Sequence, residues 1–196
     1  MASVVTICNM ALSHLGSEAL VTAISPPDGS VEAGWCATYY DQARTELLEA
    51  SAWGFALTRA TLGELTNESD LWEFCYAVPS DAIRCVRIIS AGADDLTGVN
   101  FDREGDVLYT MEEDAVLVYV RDVTDTTKFP PSFVSALSFV LAGYLAGPII
   151  KGTEGMKIGD AMRERARVLV AASAALTANG TQDSHETSPS IVAVRA

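Results

Sequence analysis

Residues 129–150 contain no charged side chain, and this run limits the possible folds more than any other feature of the sequence. An apolar run of this length is long enough to cross a lipid bilayer. However, it begins with two prolines, contains three serines and is interrupted again at Pro148. We therefore predict a helix over about residues 132–147 that ends at Pro148 and forms the buried core of the protein. A membrane span is the alternative.

A second helix is predicted over most of residues 30–56, SVEAGWCATYYDQARTELLEASAWGFA. Its large apolar residues recur every three or four positions, which places them on one helical face. Ser30 has the side chain of an N-cap, and Gly54 has the backbone freedom to end the helix between two aromatic residues. These two residues, Trp53 and Phe55, are predicted to anchor the turn in the core. The residues predicted to form the buried face are Trp35, Tyr39, Ala43, Leu47 and Ala50.

Two more helices are predicted, one at each end of the chain. The first covers about residues 3–15, with Gly16 as its stop. The last covers about residues 156–178 and is ended by Asn179–Gly180. A flexible link would precede it, containing Gly152, Gly155 and Gly159.

Between these helices, short runs of β-branched and apolar residues predict strands over 84–89, 99–103, 107–110 and 115–121, with a tight hairpin at 103–106. The sequence thus predicts an α+β fold, a bundle of about four helices with a small inserted antiparallel β-region. Its predicted parts are an N-terminal helical part (1–59), an acidic β-region (60–127), C-terminal helices that complete the bundle (128–179) and a flexible tail (180–196).

Charge is distributed unevenly along the chain. The net charge is −13, and residues 60–126 hold fifteen acids against four arginines. This excess of acids argues against a general nucleic-acid binder, which shows a basic surface. A solvated face explains it, as would the acidic rim or lumen of a ring that repels passing DNA. Residues 127–179 are net basic, and Arg163, Arg165 and Arg167 could meet an acidic neighbouring subunit.

No arrangement of residues predicts an enzyme, a metal site or a cofactor site. The four cysteines lie far apart, and the two histidines stand near no candidate nucleophile. The four cysteines are expected to be reduced, buried thiols, and the N-terminus lacks the pattern of a signal peptide. Glu46 and Glu49 could be imagined as the acid pair of a cell-wall hydrolase, which is a minor alternative.

Four short pieces of sequence occur in a specific order. They are AL-x-x-LG, YYD-x-x-R-x-x-LL, W-x-FA and Y-x-x-P-x-D-x-x-R, between about residues 4 and 150. In this order they resemble the head-to-tail adaptor proteins of short-tailed bacteriophages, also called the tail tubular protein A family. The residues that carry the resemblance, called here the signature residues, are Trp35, Tyr39, Tyr40, Asp41, Arg44, Leu47, Trp53, Phe55, Tyr76, Pro79, Asp81 and Arg84.

This resemblance implies a structural virion protein, made in the host cytoplasm and placed in the neck of the phage. Its partners would be the portal protein, the tail nozzle and its own copies, in a twelvefold ring through which DNA passes as cargo. The resemblance also implies that the C-terminal segment reaches the portal. Within that tail, Ile191, Val192, Ala193 and Val194 are predicted to add a strand to a sheet of a neighbour. The scaffold role of the signature residues is implied in the same way. Because Asp41 and Arg44 are three residues apart on a predicted helix, we also predict an ion pair between them.

Overall fold

The computed structural model of the protein describes residues 2–18, 20–90 and 98–182, and the side chains as far as residue 175. In these ranges the chain forms helices and small antiparallel sheets, which confirms the predicted α+β class. The elements are α1 (Val4–His14), α2 (Val31–Ala50), β1 (Leu57–Thr61), β2 (Phe74–Ala77), β3 (Ala82–Ile89), β4 (Phe101–Glu104), β5 (Val107–Thr110), β6 (Val116–Arg121), a 3-10 turn (Thr126–Lys128), α3 (Pro131–Ile150) and α4 (Gly152–Gln182).

The first two helices begin where the sequence predicts. The hydroxyl of Ser30 accepts a hydrogen bond from the backbone N–H of Ala33 at 3.2 Å, which satisfies a free donor at the start of α2. The predicted end of α2 is wrong, because the helix stops at Ala50 and Ser51 is already extended. Gly54 lies in the turn that follows, and the buried side chain of Trp53 anchors this turn in the core.

The buried face of α2 is wider than the predicted stripe. Trp35 and Tyr39 are only half-buried and Ala50 is exposed, whereas Tyr40 and Arg44 are buried. The physical reason is that α2 packs against α3 on one side and against β3 and β6 on another. The spacing of apolar residues along one helix does not reveal that two different elements pack against that helix.

Helix α3 is the centre of the helical layer, as predicted. It packs against α1, α2 and α4, and eleven of its twenty residues are buried. The helix continues to Ile150, so the prediction that Pro148 ends it is wrong. Packing explains the continuation, because Ala146 and Gly147 lie against α4 just before Pro148 and Ile149 packs on the core just after it.

Helix α4 begins directly after Lys151, so the predicted glycine-rich link is part of the helix. Gly155 and Gly159 lie against α3. A Cβ atom on Gly155 would stand 2.7 Å from the carbonyl oxygen of Ala146, and one on Gly159 would stand 2.9 Å from that of Gly143. These glycines therefore allow the two helices to approach closely. The predicted stop at Asn179–Gly180 is also wrong, because the helix extends to Gln182.

The β-region consists of two three-stranded antiparallel sheets, with strand orders β1–β6–β3 and β2–β5–β4. The four predicted strands are present, and β4 and β5 form the predicted hairpin around Gly105, whose φ is +60°. Strand β6 is central and buried on both faces, as its continuous apolar run indicates. Strands β1 and β2 were not predicted, because they are short and lack a clear alternation of apolar and polar residues.

The described part of the chain contains two clusters of buried apolar side chains. The larger one joins the four helices to the end of β6, and the smaller one lies among β2, β3, β5 and β6. Helix α2 and strand β6 thus stand where the helical layer meets the β-region, and several of the signature residues lie near this junction. The division of the chain into four parts stays a prediction.

Candidate functional site

Arg44 is the central polar residue of the junction between α2 and the β-region. Only 4% of its side chain is exposed. One guanidinium nitrogen, Nη1, donates to the carboxylate of Asp122 and to the carbonyl of Val123 at 3.1 Å. The other, Nη2, lies 3.4 Å from Asp122 Oδ2 and 3.5 Å from Asp41 Oδ1. The predicted ion pair of Asp41 and Arg44 is confirmed, but Asp122 is the closer partner.

The sequence analysis missed Asp122, although a buried arginine requires a counter-charge. Asp122 follows the end of β6 and lies 78 residues from Arg44 along the chain. The one available signal was the position of Arg44 between Tyr40 and Leu47, on a face that should be apolar. That signal predicts that some carboxylate is near, but not which of the many acids it is.

Other signature residues lie around the same junction. The carbonyl of Asp81 accepts a hydrogen bond from the N–H of Asp122 at 2.8 Å, and its carboxylate accepts one from the hydroxyl of Tyr119 at 2.9 Å. Arg84 donates to the carbonyl of Glu49 near the end of α2 at 3.0 Å. Pro79 precedes β3, and its carbonyl closes a turn with Ala82. These contacts tie α2 to the sheet that contains β6.

Tyr76 lies apart from this junction, in the second sheet. Its ring is buried in the smaller apolar cluster, and its hydroxyl donates to the carbonyl of Glu112 at 2.9 Å. Burial raises the pKa of this hydroxyl, so it remains a neutral donor. Tyr76 therefore fixes the turn after β5.

Trp53 and Phe55 form an aromatic cluster with Phe129 and Phe133. The ring of Phe133 lies 5.0 Å from that of Trp53 and 4.9 Å from that of Phe55, both close to an edge-on arrangement. The indole N–H of Trp53 donates to the carbonyl of Leu47 at 2.7 Å. This bond gives a partner to a free carbonyl in the last turn of α2, and it holds the segment after the helix against α3. The predicted core position of Trp53 is confirmed.

Trp35 and Tyr39 take part in a different cluster, on the outer side of α2 and α3. Their rings stack at 6.0 Å, and Tyr39 stacks on Tyr144 of α3 at 5.4 Å. The hydroxyl of Tyr144 donates to Glu46, and Arg163 of α4 lies over the same ring at 5.3 Å. Three helices are therefore joined at this partly exposed stack.

Tyr40, the neighbour of Tyr39, is buried next to a cleft of about 500 Å³ that lies between the start of α1, the 22–25 loop and α2. Its hydroxyl has no hydrogen-bond partner among the described residues, and the same holds for the Nε of Arg44. Burial raises the pKa of the Tyr40 hydroxyl. The cleft is lined by Asp41 and the buried cation Arg44, and its lining residues do not place a nucleophile beside a base.

Two of the four cysteines, Cys8 of α1 and Cys36 of α2, are fully buried and their thiols share a hydrogen bond. That bond raises the pKa of the Cys8 thiol and lowers the pKa of the Cys36 thiol. Both sulfurs are inaccessible to solvent, as expected for packing residues. Among the described residues, no group of three or more His, Cys, Asp or Glu side chains is placed to hold a metal ion.

His14 and Ser138 lie at hydrogen-bond distance, with 3.0 Å between Nε2 and Oγ. This pair resembles part of a catalytic triad, but Ser138 is completely buried. Its hydroxyl donates to the carbonyl of Ser135 at 2.8 Å, so its oxygen accepts the proton that Nε2 carries. His14 also stacks on Phe139 at 4.0 Å. It is a packing residue between α1 and α3.

The proposed acid pair and the proposed subunit contacts all lie on helix surfaces. Glu46 accepts a hydrogen bond from Tyr144 and Glu49 is exposed. On α4, Arg163 pairs with Asp160 and Arg167 pairs with Glu164, each at 3.3 Å, while Arg165 lies over Phe139. The four tail residues at positions 191–194 lie outside the described residues.

Comparison of the chain with protein-family models finds no match, and comparison with curated proteins finds none either. The resemblance to phage adaptors therefore rests on the signature residues alone. Most of them lie in two neighbouring places, the junction of α2 with the β-region and the aromatic cluster that follows α2.

Proposed function

We propose that this chain is a structural head-to-tail adaptor, which forms a ring between the portal and the tail of a phage. The observation that carries the proposal is the arrangement of the signature residues. Asp41 and Arg44 lie far along the chain from Asp81 and Arg84. Arg44 of α2 nevertheless binds Asp122 at the end of β6, and Arg84 of β3 in the same sheet binds the carbonyl of Glu49 of α2. We expect such an arrangement in a scaffold protein, in which the signature residues pack the fold together and do not catalyse a reaction.

The decisive experiment is a native mass measurement of the chain mixed with the portal protein of the same phage. We expect a complex that contains one ring of twelve copies on the portal, because the resemblance implies that the two symmetries match. Cryo-electron microscopy of the assembled neck provides the same count. A chain that fails to bind the portal, or a different copy number, would contradict the proposal.

The tail gives a second and sharper test of portal binding. Residues 183–190 are polar, and a linker of this length spans on the order of 15–20 Å as a coil. Truncation after Asn179 should leave the melting temperature nearly unchanged and severely weaken portal binding. A second variant replaces Ile191 and Val192 with serine without any truncation, and it should weaken portal binding in the same way. If both variants bind the portal as tightly as the original chain does, the tail has no docking role.

A membrane-associated protein is the alternative, and helix α3 is the observation that favours it. By length and composition α3 could cross a membrane, although 61% of its most apolar 18-residue window is buried inside the protein. Such burial is expected of a core helix, because a membrane span would turn most of this surface to lipid. Purification without detergent would decide between the two: a chain that stays in solution as a folded protein excludes the membrane function.

A further inference from the structure

A groove runs between α2 and α4, over the surface of α3. It has a volume of about 420 Å³ and is open to solvent. Leu47, Val140 and Ala166 are buried and form its floor, while Ala171 and Ala174 are exposed on its α4 side. The groove is therefore an apolar surface built from three helices, and covering it with an apolar segment is favourable.

The directions of the three helices define the two ends of this groove. Helix α4 follows α3 after a single residue and packs back along it, so these two helices are antiparallel. Helix α2 is also antiparallel to α3, because Tyr39 stacks on Tyr144 whereas Trp53, beyond the end of α2, packs on Phe133. The two walls of the groove thus run in the same direction, and Ala174 marks the end that lies nearer to the end of α4.

The opposite end of the groove contains its charged side chains. Glu46 of α2 and Arg167 of α4 line the groove there. Arg167 pairs with Glu164 at 3.3 Å, and Glu46 accepts a hydrogen bond from the hydroxyl of Tyr144. Glu46 is therefore the charged group that can attract a cation of an occupant. We expect the occupant to be an apolar segment that is followed by a basic residue.

The chain beyond α4 contains such a segment. Residues 183–190 are polar, and residues 191–194 have the apolar sequence IVAV and are followed by Arg195. An extended run of four residues spans about 13 Å. Helix α4 spans about 10 Å between Arg167 and Ala174, so the apolar run matches the length of the groove.

The attachment of this segment to α4 brings it close to the groove. Ala174 lies about 12 Å along the helix from its end at Gln182. The linker of residues 183–190 spans on the order of 15–20 Å as a coil, so the chain can turn and run back along α4. Residues 191–194 then enter the groove at Ala174 and bring Arg195 to Glu46. A short tether of this kind gives an effective concentration on the order of millimolar.

We propose that residues 191–194 of the free chain dock in the groove between α2 and α4 of the same chain, with Arg195 facing Glu46. This docking goes beyond the adaptor function and requires no portal. Four residues bury little surface, and ordering the linker costs conformational entropy, so docked and free tails are present in comparable amounts. Such an equilibrium adds little to the free energy of unfolding, and truncation of the tail therefore still leaves the melting temperature nearly unchanged.

Disulfide trapping within one full-length chain tests this docking. The variant carries Ala193→Cys in the tail, Ala171→Cys in the groove and Cys85→Ser, because the other native cysteines are buried. The dilute protein is incubated in a glutathione redox buffer. Two protein thiols are oxidised to the disulfide, while one glutathione disulfide is reduced to two molecules of glutathione. Mass spectrometry of the non-reduced protein follows the rate at which the bond forms.

The matched control combines Ala193→Cys with Val168→Cys. Val168 is also exposed and lies within one turn of Ala171 on α4, but it does not line the groove. We expect the bond to position 171 to form about tenfold faster than the bond to position 168. Adding Ile191→Ser and Val192→Ser should reduce the faster rate to that of the control, because the tether remains while its apolar side chains are lost.

Equal rates at the two positions would overturn the proposal, and so would an unchanged rate in the serine variant. A disulfide that joins two chains, and not two positions of one chain, would show that the groove accepts the tail of another copy, which also overturns docking within the chain. Equal melting temperatures of the cysteine variants show that the rates compare folded proteins.

The same reaction in an excess of portal protein separates this docking from the adaptor function. If both proposals hold, the portal competes for the tail and trapping becomes slower. Specific trapping in a chain that binds no portal supports the docking and counts against the adaptor. Portal binding together with trapping at the control rate supports the adaptor and overturns the docking.

Discussion

The helical layer and the β-region differ in how they are held together. The larger apolar cluster contains twenty-five buried residues, nearly all from the helices and their connections, whereas the smaller cluster contains seven. The β-region holds most of the acids, and its 62–73 loop presents Leu71 to solvent. The comparison teaches that buried apolar surface is concentrated in the helices, while the β-region carries most of the negative charge.

The largest expected effect comes from removing an aromatic side chain of the helical layer. Trp53→Ala should lower the free energy of unfolding by about 3–5 kcal/mol, because it leaves a cavity beside Phe133 and breaks the bond to Leu47. Trp72→Ala in the β-region should cost much less, since this ring is only half-buried. Urea unfolding of both variants measures the difference. Equal losses would show that the β-region is as tightly packed as the helices.

The next prediction concerns the junction of the two regions. Asp122→Ala should destabilise the protein by about 3 kcal/mol, because it leaves the buried Arg44 guanidinium without its main counter-charge. Arg44→Met should cost clearly less, since an apolar side chain replaces the buried cation and Asp122, 37% exposed, can be hydrated. The same unfolding measurement compares them. A larger loss for Arg44→Met would mean that the arginine stabilises chiefly through its other contacts.

A smaller effect is expected where α3 meets α4. Gly155→Ala should destabilise by about 1–2 kcal/mol, because overpacking against the Ala146 carbonyl outweighs the gain in helix propensity. Gly34→Ala in α2 is the matched control, since a Cβ there meets no atom of another element within 4 Å. It should stabilise the protein by roughly 0.5–1 kcal/mol. Thermal unfolding checks the opposite signs, and stabilisation by both substitutions would disprove the close approach of these helices.

The smallest effect is a dependence on pH within the helical layer. Burial lowers the pKa of His14, and the positive charge of Arg165 lowers it further. The unfolded chain then binds a proton near pH 6.5, whereas the folded protein resists it, so stability should fall as the pH drops below about 6.5. This loss of stability is complete once the pH lies below the pKa of His14 in the folded protein.

His14→Gln should remove this part of the dependence of the unfolding free energy on pH. The part that comes from protonation of the carboxylates should remain. Urea unfolding at pH 7.5 and at pH 5.5 provides the comparison. An identical slope in the original chain and in the variant would show that His14 does not contribute.

The start of α2 and the burial of β6 and α3 follow from local physics. Ser30 begins α2 because its hydroxyl satisfies a free backbone donor, and β6 is central because its run of apolar residues leaves no face for water. The uncharged run of α3 could be stable only if buried. These features depend on a few neighbouring residues, so the sequence alone determined them.

Contacts between distant segments were decided only by the tertiary structure. The partner of Arg44 is one acid among many, and Pro148 remains in a helix because the segments on both sides of it are packed. The glycines of α4 predict a flexible link, because glycine has the most conformational freedom. They are helical instead, since the absence of side chains lets this part of α4 pack closely against α3. Packing free energy summed over a whole helix exceeds the propensity of one or two residues, and it exists only after the chain has folded.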